Sequence, residues 1–219
     1  SHTSDAAAGS FGLIQIVLES LSVLFRVLAI GAGVVVGQAL GRGRAAEVQR
    51  SAFAALGAST WVGGCVALVL LLGHAEILSW LNAPDEVLGQ ASLYMMCLAP
   101  AMVLEAHNLS MAAVLRAHLY ARESLRIMVI MHSTHLMLAW VLMQGLGDWS
   151  GWGLVGYAWA YLGSRALGLW LHVHFWRKRL ALHPHGGHWW RFSWASIRPI
   201  LRIGLPGAAV EWGYRLGFM

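Results

Sequence analysis

Long apolar stretches alternate with short polar connections along the whole chain. Each of the first five stretches provides the roughly 20 mostly apolar residues that a helix needs to cross a bilayer. The five complete stretches cover residues 11–41, 51–73, 87–115, 124–146 and 152–176, and a further one begins near residue 197. The pattern predicts an all-α, polytopic transmembrane helical bundle with about five full spans and the start of a sixth.

Composition supports a membrane protein. Apolar residues make up 58% of the chain and charged residues 11%, against roughly 45–50% and about 25% in soluble domains. The net charge of +5 does not indicate a nucleic-acid partner, because the cations lie in short connections between apolar stretches. Cys65 and Cys97 both lie within apolar stretches, so we expect neither a disulfide nor a metal site.

The connections alternate between those that carry arginines and those that carry no Lys or Arg. Residues 42–50, 116–126 and 177–202 are basic, whereas residues 74–90 and 147–151 contain no Lys or Arg. Cationic loops resist translocation across the bilayer. We therefore expect the basic connections to be cytoplasmic and the other two to face outside, in a multi-pass protein of the cytoplasmic (inner) membrane.

Ionisable residues within the spans are candidates for a substrate or ion pathway, because a charge in lipid is costly. Glu105 lies in the third span. His132 and His135, three residues apart in the fourth, share a helix face and have side chains that titrate near neutral pH. Each of these three residues has a structural alternative, a hydrogen bond between helices. Arg165 lies in the fifth span, and the sequence does not choose between Glu105 and Glu19 as its partner.

The sixth span contains Glu211, five residues after Pro206, with Arg215 one turn further on. A Glu followed by Arg at i+4 forms a favourable helix pair. A structural ion pair is one interpretation, and binding of a coupling cation or a cationic substrate is the other.

A row of glycines marks a helix-packing face in the first span. Gly33, Gly37 and Gly41 recur every four residues, and small residues on one face allow a second helix to approach closely in lipid.

Several landmarks, taken in order, resemble the MATE (multidrug and toxic compound extrusion) family. Residues 37–43, which include Gln38, resemble the end of that family's second helix. Leu115-Arg116 resembles the end of its fourth helix, and residues 152–160 resemble the entry to its sixth. Residues 202–206, followed by Glu211 and Arg215, resemble the opening of its seventh helix.

The resemblance implies one lobe of a two-lobe, twelve-helix transporter. Residues 1–176 would hold helices two to six of the N-terminal lobe, residues 177–202 the cytoplasmic linker, and residues 203–219 the start of the C-terminal lobe. The chain would then be part of a longer protein. The implied activity is export of cationic or amphipathic small molecules in exchange for H⁺ or Na⁺, by alternating access. It requires no cofactor beyond the coupling ion, no enzymatic step and no second copy of the protein.

One position departs from the family's pattern. Many relatives carry Asn and, four residues later, Asp in the fifth helix, and here these positions are His135 and Ala139. The resemblance therefore implies that the usual first-lobe carboxylate proton site is missing. Either His132 or His135 is a candidate to compensate for it.

Two alternatives remain open. A lipid or polysaccharide flippase of the same superfamily is favoured by Arg26, Arg165 and Arg215, since buried cations suit an anionic substrate. A membrane di-iron enzyme would use clustered histidines near the cytoplasmic face, although their spacing differs from the usual boxes of that chemistry. These histidines are His172, His174, His183, His185 and His188.

Overall fold

The computed structural model describes the backbone of residues 2–217 and the side chains of residues 12, 14–85 and 88–209. The described chain is helical apart from its turns, and its one β-bridge is isolated. The helices are α1 (His2–Gly41), α2 (Ala45–Trp80), α3 (Asp85–Ala117), α4 (Ala121–Gln144), α5 (Gly153–Arg179), α6 (Gly186–Trp190) and α7 (Trp194–Gly217). The prediction of an all-α membrane bundle is confirmed.

Four of the described helices are long and apolar enough to cross a membrane. They are α1 from Ile14 onwards, α2, α3 from Leu88 onwards, and α4. The predicted fifth span coincides with α5, which has 27 residues and is long enough. Its apolar residues, however, are interrupted by tyrosines, histidines and Arg165, so α5 is less apolar than the other four.

Three of the long helices end in the same hydrogen-bonded motif. At the end of α1, the amide of Arg44 donates to the carbonyl of Ala39 and the amide of Gly43 donates to that of Leu40. Gly43 has φ +67°, as the Schellman motif requires of its left-handed residue. Asn82 takes this position after α2 and Leu119 takes it after α3. The motif satisfies the last carbonyls and turns the chain within three or four residues.

Helix α3 is the centre of the bundle, since it packs against α1, α2 and α5, and α5 in turn packs against α4. One hydrophobic cluster includes Leu78, Tyr94 and Ala158, near the arginine-free connections. Another includes Val48 and Trp176, near the basic connections. The helices thus gather the basic connections at one end of the bundle, as the expected topology requires.

The predicted linker, residues 177–202, is largely helical. Helix α5 continues to Arg179, α6 occupies residues 186–190, and α7 already begins at Trp194. Helix α7 then packs along α1. A Cβ atom added at Gly31 would strike the carbonyl oxygen of Ile200, and one added at Gly204 would strike that of Val27. These two glycines allow α1 and α7 to touch backbone to backbone.

The predicted glycine face of α1 is in contact with another helix at one of its three positions. A Cβ atom at Gly33 would touch the Cβ of Ala113 on α3 at 3.5 Å, but none of the described atoms outside the helix lies within 4 Å of one at Gly37 or Gly41. The repeat every four residues drifts around the helix, because 3.6 residues make one turn. Within the described chain, helix contacts lie at Gly31 and Gly33, and packing at Gly37 and Gly41 stays a prediction.

A pair of neighbouring glycines in α2 tests the close packing of α2 on α3. A Cβ atom at Gly63 would lie 2.9 Å from the Cα of Val103, whereas one at Gly64 would meet nothing within 4 Å. Gly63→Ala should therefore destabilise the protein by about 1–3 kcal/mol through overpacking. Gly64→Ala is the matched control and should be neutral or slightly stabilising, since alanine favours helix. Thermal unfolding in detergent measures both, and equal stability of the two variants would contradict this packing.

Candidate functional site

Helix α5 turns a row of polar and aromatic side chains towards the inside of the bundle. The row recurs every three or four residues, which places its members on one helix face. From Tyr157 to Trp176 it extends roughly 28 Å along the axis, close to the roughly 30 Å thickness of the hydrocarbon core. Its members are Tyr157, Tyr161, Arg165, His172 and Trp176, and Gly168 lies on the same face between Arg165 and His172. A polar row therefore runs the depth of the membrane between α3, α4 and α5.

The centre of this row is an ion pair between α5 and α3. Arg165 Nε lies 2.6 Å from Glu105 Oε2, and the two side chains are only 4% and 15% exposed. The two atoms make a charge contact rather than an aligned hydrogen bond, since neither meets the geometry of one. Glu105 is thus the partner of Arg165, which settles the choice between Glu105 and Glu19. In lipid, each charge is tolerable only because the other compensates it.

Aromatic rings connect this ion pair to His135 on α4. The guanidinium carbon of Arg165 lies 4.1 Å from the centre of the Tyr161 ring, a cation–π contact. His135 is buried and meets Tyr161 edge-on, with ring centroids 5.3 Å apart, and Tyr157 in the same way at 4.8 Å. The structure therefore brings two predicted site residues, Glu105 and His135, into one cluster that Tyr161 bridges.

Towards the basic end, Asn108 and His172 continue the row. Asn108 Nδ2 donates to the carbonyl of Arg165 at 2.9 Å, so its Oδ1 is left as an acceptor. His172 Nδ1 lies 3.0 Å from that Oδ1 and 2.9 Å from the carbonyl of Gly168. Because both partners only accept, Nδ1 must carry the hydrogen. Gly168 allows this arrangement, since a Cβ atom there would crowd Met131 and Asn108.

At the other end, the row reaches α1. The Tyr157 ring lies 6.2 Å from that of Tyr94 on α3, which is fully buried. Gln15 on α1 donates its amide hydrogen to the Tyr94 hydroxyl at 2.8 Å. Four helices therefore contribute to one connected row of polar and aromatic groups.

The other predicted site residues lie elsewhere. His132 and Gln38 are exposed on the described chain, so His132 does not share the buried environment of His135. Ala139, one turn after His135 on α4, is buried, and the predicted absence of a first-lobe proton site stays a prediction. The side chains of Glu211 and Arg215 lie outside the described residues, and the functional or structural role predicted for them stays a prediction.

The predicted site residues did not include Tyr157, Tyr161, Asn108 and Trp176. The signal was present, because tyrosines, Arg165 and His172 recur in α5 at helical spacing. Among the described residues, no three His, Cys, Asp or Glu side chains lie close enough together to hold a metal ion.

Long apolar helices around a buried row of polar side chains are typical of a polytopic membrane protein, and comparison with known proteins gives its family. Residues 1–141 match the family model MatE. The chain therefore belongs to the MatE family of membrane transporters, and the di-iron enzyme alternative is wrong. The uncharacterized transporter YisQ of Bacillus subtilis (strain 168) is 22% identical over 227 residues, covering 100% of this chain and 48% of YisQ.

Solved structures show the same fold. An inward-facing multidrug resistance MATE family transporter of the MOP superfamily superposes with a TM-score of 0.81 and 21% identity, over 93% of this chain and 46% of that one. A MOP superfamily transporter from Pyrococcus furiosus Vc1 (DSM3638), whose binding pocket is described as having reverse polarity, superposes with a TM-score of 0.77 and 22% identity, over 92% of this chain and 44% of that one. The chain spans about half the length of the relatives it matches.

The buried pair of Glu105 and Arg165 leads to a prediction about the stability of its variants. Glu105→Gln or Arg165→Gln alone leaves one buried charge without its partner, which costs about 3–5 kcal/mol. The double variant Glu105→Gln/Arg165→Gln removes both charges and should recover at least half of that loss. Thermal unfolding in detergent measures all three.

The exposed pair Arg44–Glu47, with N–O distance 3.3 Å, provides the control. Glu47→Gln should change stability by less than about 1 kcal/mol, since surface ion pairs contribute little. Additive losses in the double variant Glu105→Gln/Arg165→Gln would contradict a compensated buried pair.

Proposed function

We propose that this chain forms part of a cation-coupled antiporter that exports cationic or amphipathic small molecules, as drugs or other xenobiotics, across the cytoplasmic (inner) membrane by alternating access. The coupling ion is H⁺ or Na⁺, no other cofactor takes part, and the transporter works as a monomer in the lipid bilayer. The observation that carries this proposal is the Glu105–Arg165 pair, a membrane-embedded carboxylate whose negative charge a bound cation can compete for.

Glu105 suits a coupling role because its carboxylate can pair either with Arg165 or with a bound cation. A proton or sodium ion on the Glu105 carboxylate weakens its attraction to Arg165. The freed guanidinium keeps its contact with the Tyr161 ring, which partly compensates its charge. Because Glu105 is on α3 and Arg165 on α5, cation binding changes the contact between these two helices. That change can be coupled to the movement of a lobe.

His135 is the second titratable group of the cluster, and it reaches the pair through Tyr161. An imidazole in the same cluster as a cation-binding carboxylate can take up and release a proton, which would compensate for the missing carboxylate at Ala139. Gln38, His132, Glu211 and Arg215 remain in the proposal as residues of the wider pathway.

A flippase for anionic lipids or polysaccharides is the second candidate. Arg26 and Arg116 both line a groove of about 510 Å³ between α1 and α3, and such a groove suits an anionic group. Arg165 no longer supports this alternative, because Glu105 neutralises it. We favour the cation exporter for that reason.

A transport assay in membrane vesicles distinguishes the cation exporter from the flippase. In membrane vesicles that contain the complete protein, an imposed H⁺ or Na⁺ gradient should drive uptake or release of a fluorescent organic cation such as ethidium. The charge-neutral variant Glu105→Gln/Arg165→Gln should lose at least nine tenths of this activity, while Glu47→Gln keeps it. Gradient-independent movement of a fluorescent anionic lipid, without ethidium transport, would instead establish the flippase.

The role of His135 can be tested against its neighbour. His135→Ala should weaken the pH dependence of ethidium exchange severalfold, because it removes the titratable ring beside Tyr157 and Tyr161. His132→Ala should have a smaller effect, since His132 is exposed. Initial rates between pH 5.5 and 8.5 measure both, and full pH dependence in the double variant would exclude a histidine relay.

A further inference from the structure

A basic cavity lies where the segment between α6 and α7 crosses the start of α2. The cavity has a volume of about 310 Å³. Two arginines line it, Arg50 on α2 and Arg191, together with Ser193 and Ser196. Its described lining contains no carboxylate. The cavity therefore concentrates positive charge and hydrogen-bond donors, the two properties that bind a phosphate.

Two further features of the cavity, the N-terminal end of α7 and the ring of His188, also favour an anion. Ser193 immediately precedes α7 and Ser196 lies in its first turn. The amides of Ser196 and Ile197 both donate to the Ser193 carbonyl at 3.0 Å, and the Ser193 hydroxyl donates to that of Ser196 at 3.3 Å. The positive end of this 24-residue helix adds to the potential of the two arginines. His188 also lines the cavity, and the amide of His185 donates to its Nδ1 at 3.0 Å. This leaves the hydrogen of the neutral ring on Nε2, as a donor.

The walls of the cavity are held in place by contacts with one face of α2. The His188 ring stacks on Phe53, with centroids 3.8 Å apart and planes 3° from parallel. One turn along, a Cβ atom at Gly57 would strike the carbonyl oxygen of Arg191. Another turn along, Trp61 Nε1 donates to the carbonyl of Trp190 at 3.0 Å. The segment from residue 188 to 192 is thus fixed across α2, and the cavity is a built feature.

An apolar groove continues along the same face of α2, further into the membrane. Its volume is about 710 Å³, and only apolar side chains and Cys65 line it. Trp61 and Phe192 line the end of the groove nearer the cavity, and Val69 lines it two turns further along α2. Trp61 is eleven residues beyond Arg50, or roughly 16 Å along the helix axis. That distance takes the surface from the depth of the headgroups into the hydrocarbon.

We propose that the cavity and the groove together bind one anionic phospholipid. Its phosphate lies between Arg50 and Arg191, and an acyl chain passes over Phe192 and Trp61 into the groove. Phosphatidylglycerol or cardiolipin suits the cavity, because two arginines face a headgroup without a cation of its own. Phosphatidylcholine suits it less, since its choline cation would be repelled. The exposed rings of Trp190 and Trp194 favour the same depth, the interface between headgroups and hydrocarbon.

Bound lipid would join the segment after α6 to α2, because Arg191 and Arg50 belong to different elements and would share one phosphate. This role is separate from the polar row between α3 and α5, and it holds whether or not the exporter proposal is correct.

The test measures lipid binding to the purified complete protein in detergent. Native mass spectrometry and thermal unfolding are followed during titration with phosphatidylglycerol, with phosphatidylcholine, and with inorganic phosphate. We expect phosphatidylglycerol to bind at least tenfold more tightly than phosphatidylcholine. Arg50→Gln/Arg191→Gln should remove this preference. Arg42→Gln is the control, because Arg42 is exposed in the same basic connection but does not line the cavity.

A second pair of variants distinguishes a lipid from a free phosphate. Val69→Trp fills the groove without touching the cavity, and it should weaken phosphatidylglycerol binding severalfold. Leu72→Trp, at an exposed position outside the groove, should not. Equal stabilisation by millimolar inorganic phosphate, with no effect of Val69→Trp, would identify a phosphate site and overturn the lipid proposal. Unchanged phosphatidylglycerol affinity in Arg50→Gln/Arg191→Gln would overturn it as well.

Discussion

The fold depends on how a charge is accommodated where water is absent. Arg165 lies in the middle of α5, and neither its guanidinium nor the Glu105 carboxylate could remain charged alone in hydrocarbon. The two compensate each other at 2.6 Å, so α3 and α5 must be adjacent at this depth. Asn108 then binds the carbonyl of Arg165 one turn along α3, which fixes the register of the two helices. α3 is consequently the helix around which the others pack.

Much of this architecture follows from the sequence, because length and hydropathy decide where helices form in lipid. The predicted spans coincide with α1 to α5, although the fourth ends two residues beyond α4 and the fifth begins one residue before α5. The connections without arginine lie opposite those with it. Pairings between helices were harder to predict. Arg165 had two possible carboxylate partners, and only the packing of α3 against α5 selects Glu105. A hydropathy pattern describes each helix alone and carries no information about its neighbours.

The glycines also show that a sequence does not reveal which helices lie next to each other. Their spacing in α1 suggested one packing face, but the close contacts lie at Gly31 and at Gly204 on α7. Which glycine is used depends on where a second backbone passes, and that is a property of two helices together. The polar face of α5 could have been found from sequence, because its tyrosines, arginine and histidine recur at helical spacing. It was obscured because those residues also interrupt an apolar stretch.

Arginines in this protein serve two different physical purposes, and burial separates them. Arg165 is buried and compensated within the bundle, so its charge is largely cancelled for anything that approaches from outside. Arg50 and Arg191 are exposed at the basic end, and no described carboxylate shares their cavity. Their charge is therefore available to an outside anion. In a bilayer, the anions present at that depth are lipid phosphates. The same residue type thus holds α3 and α5 together in the interior and attracts the membrane's own headgroups at the surface.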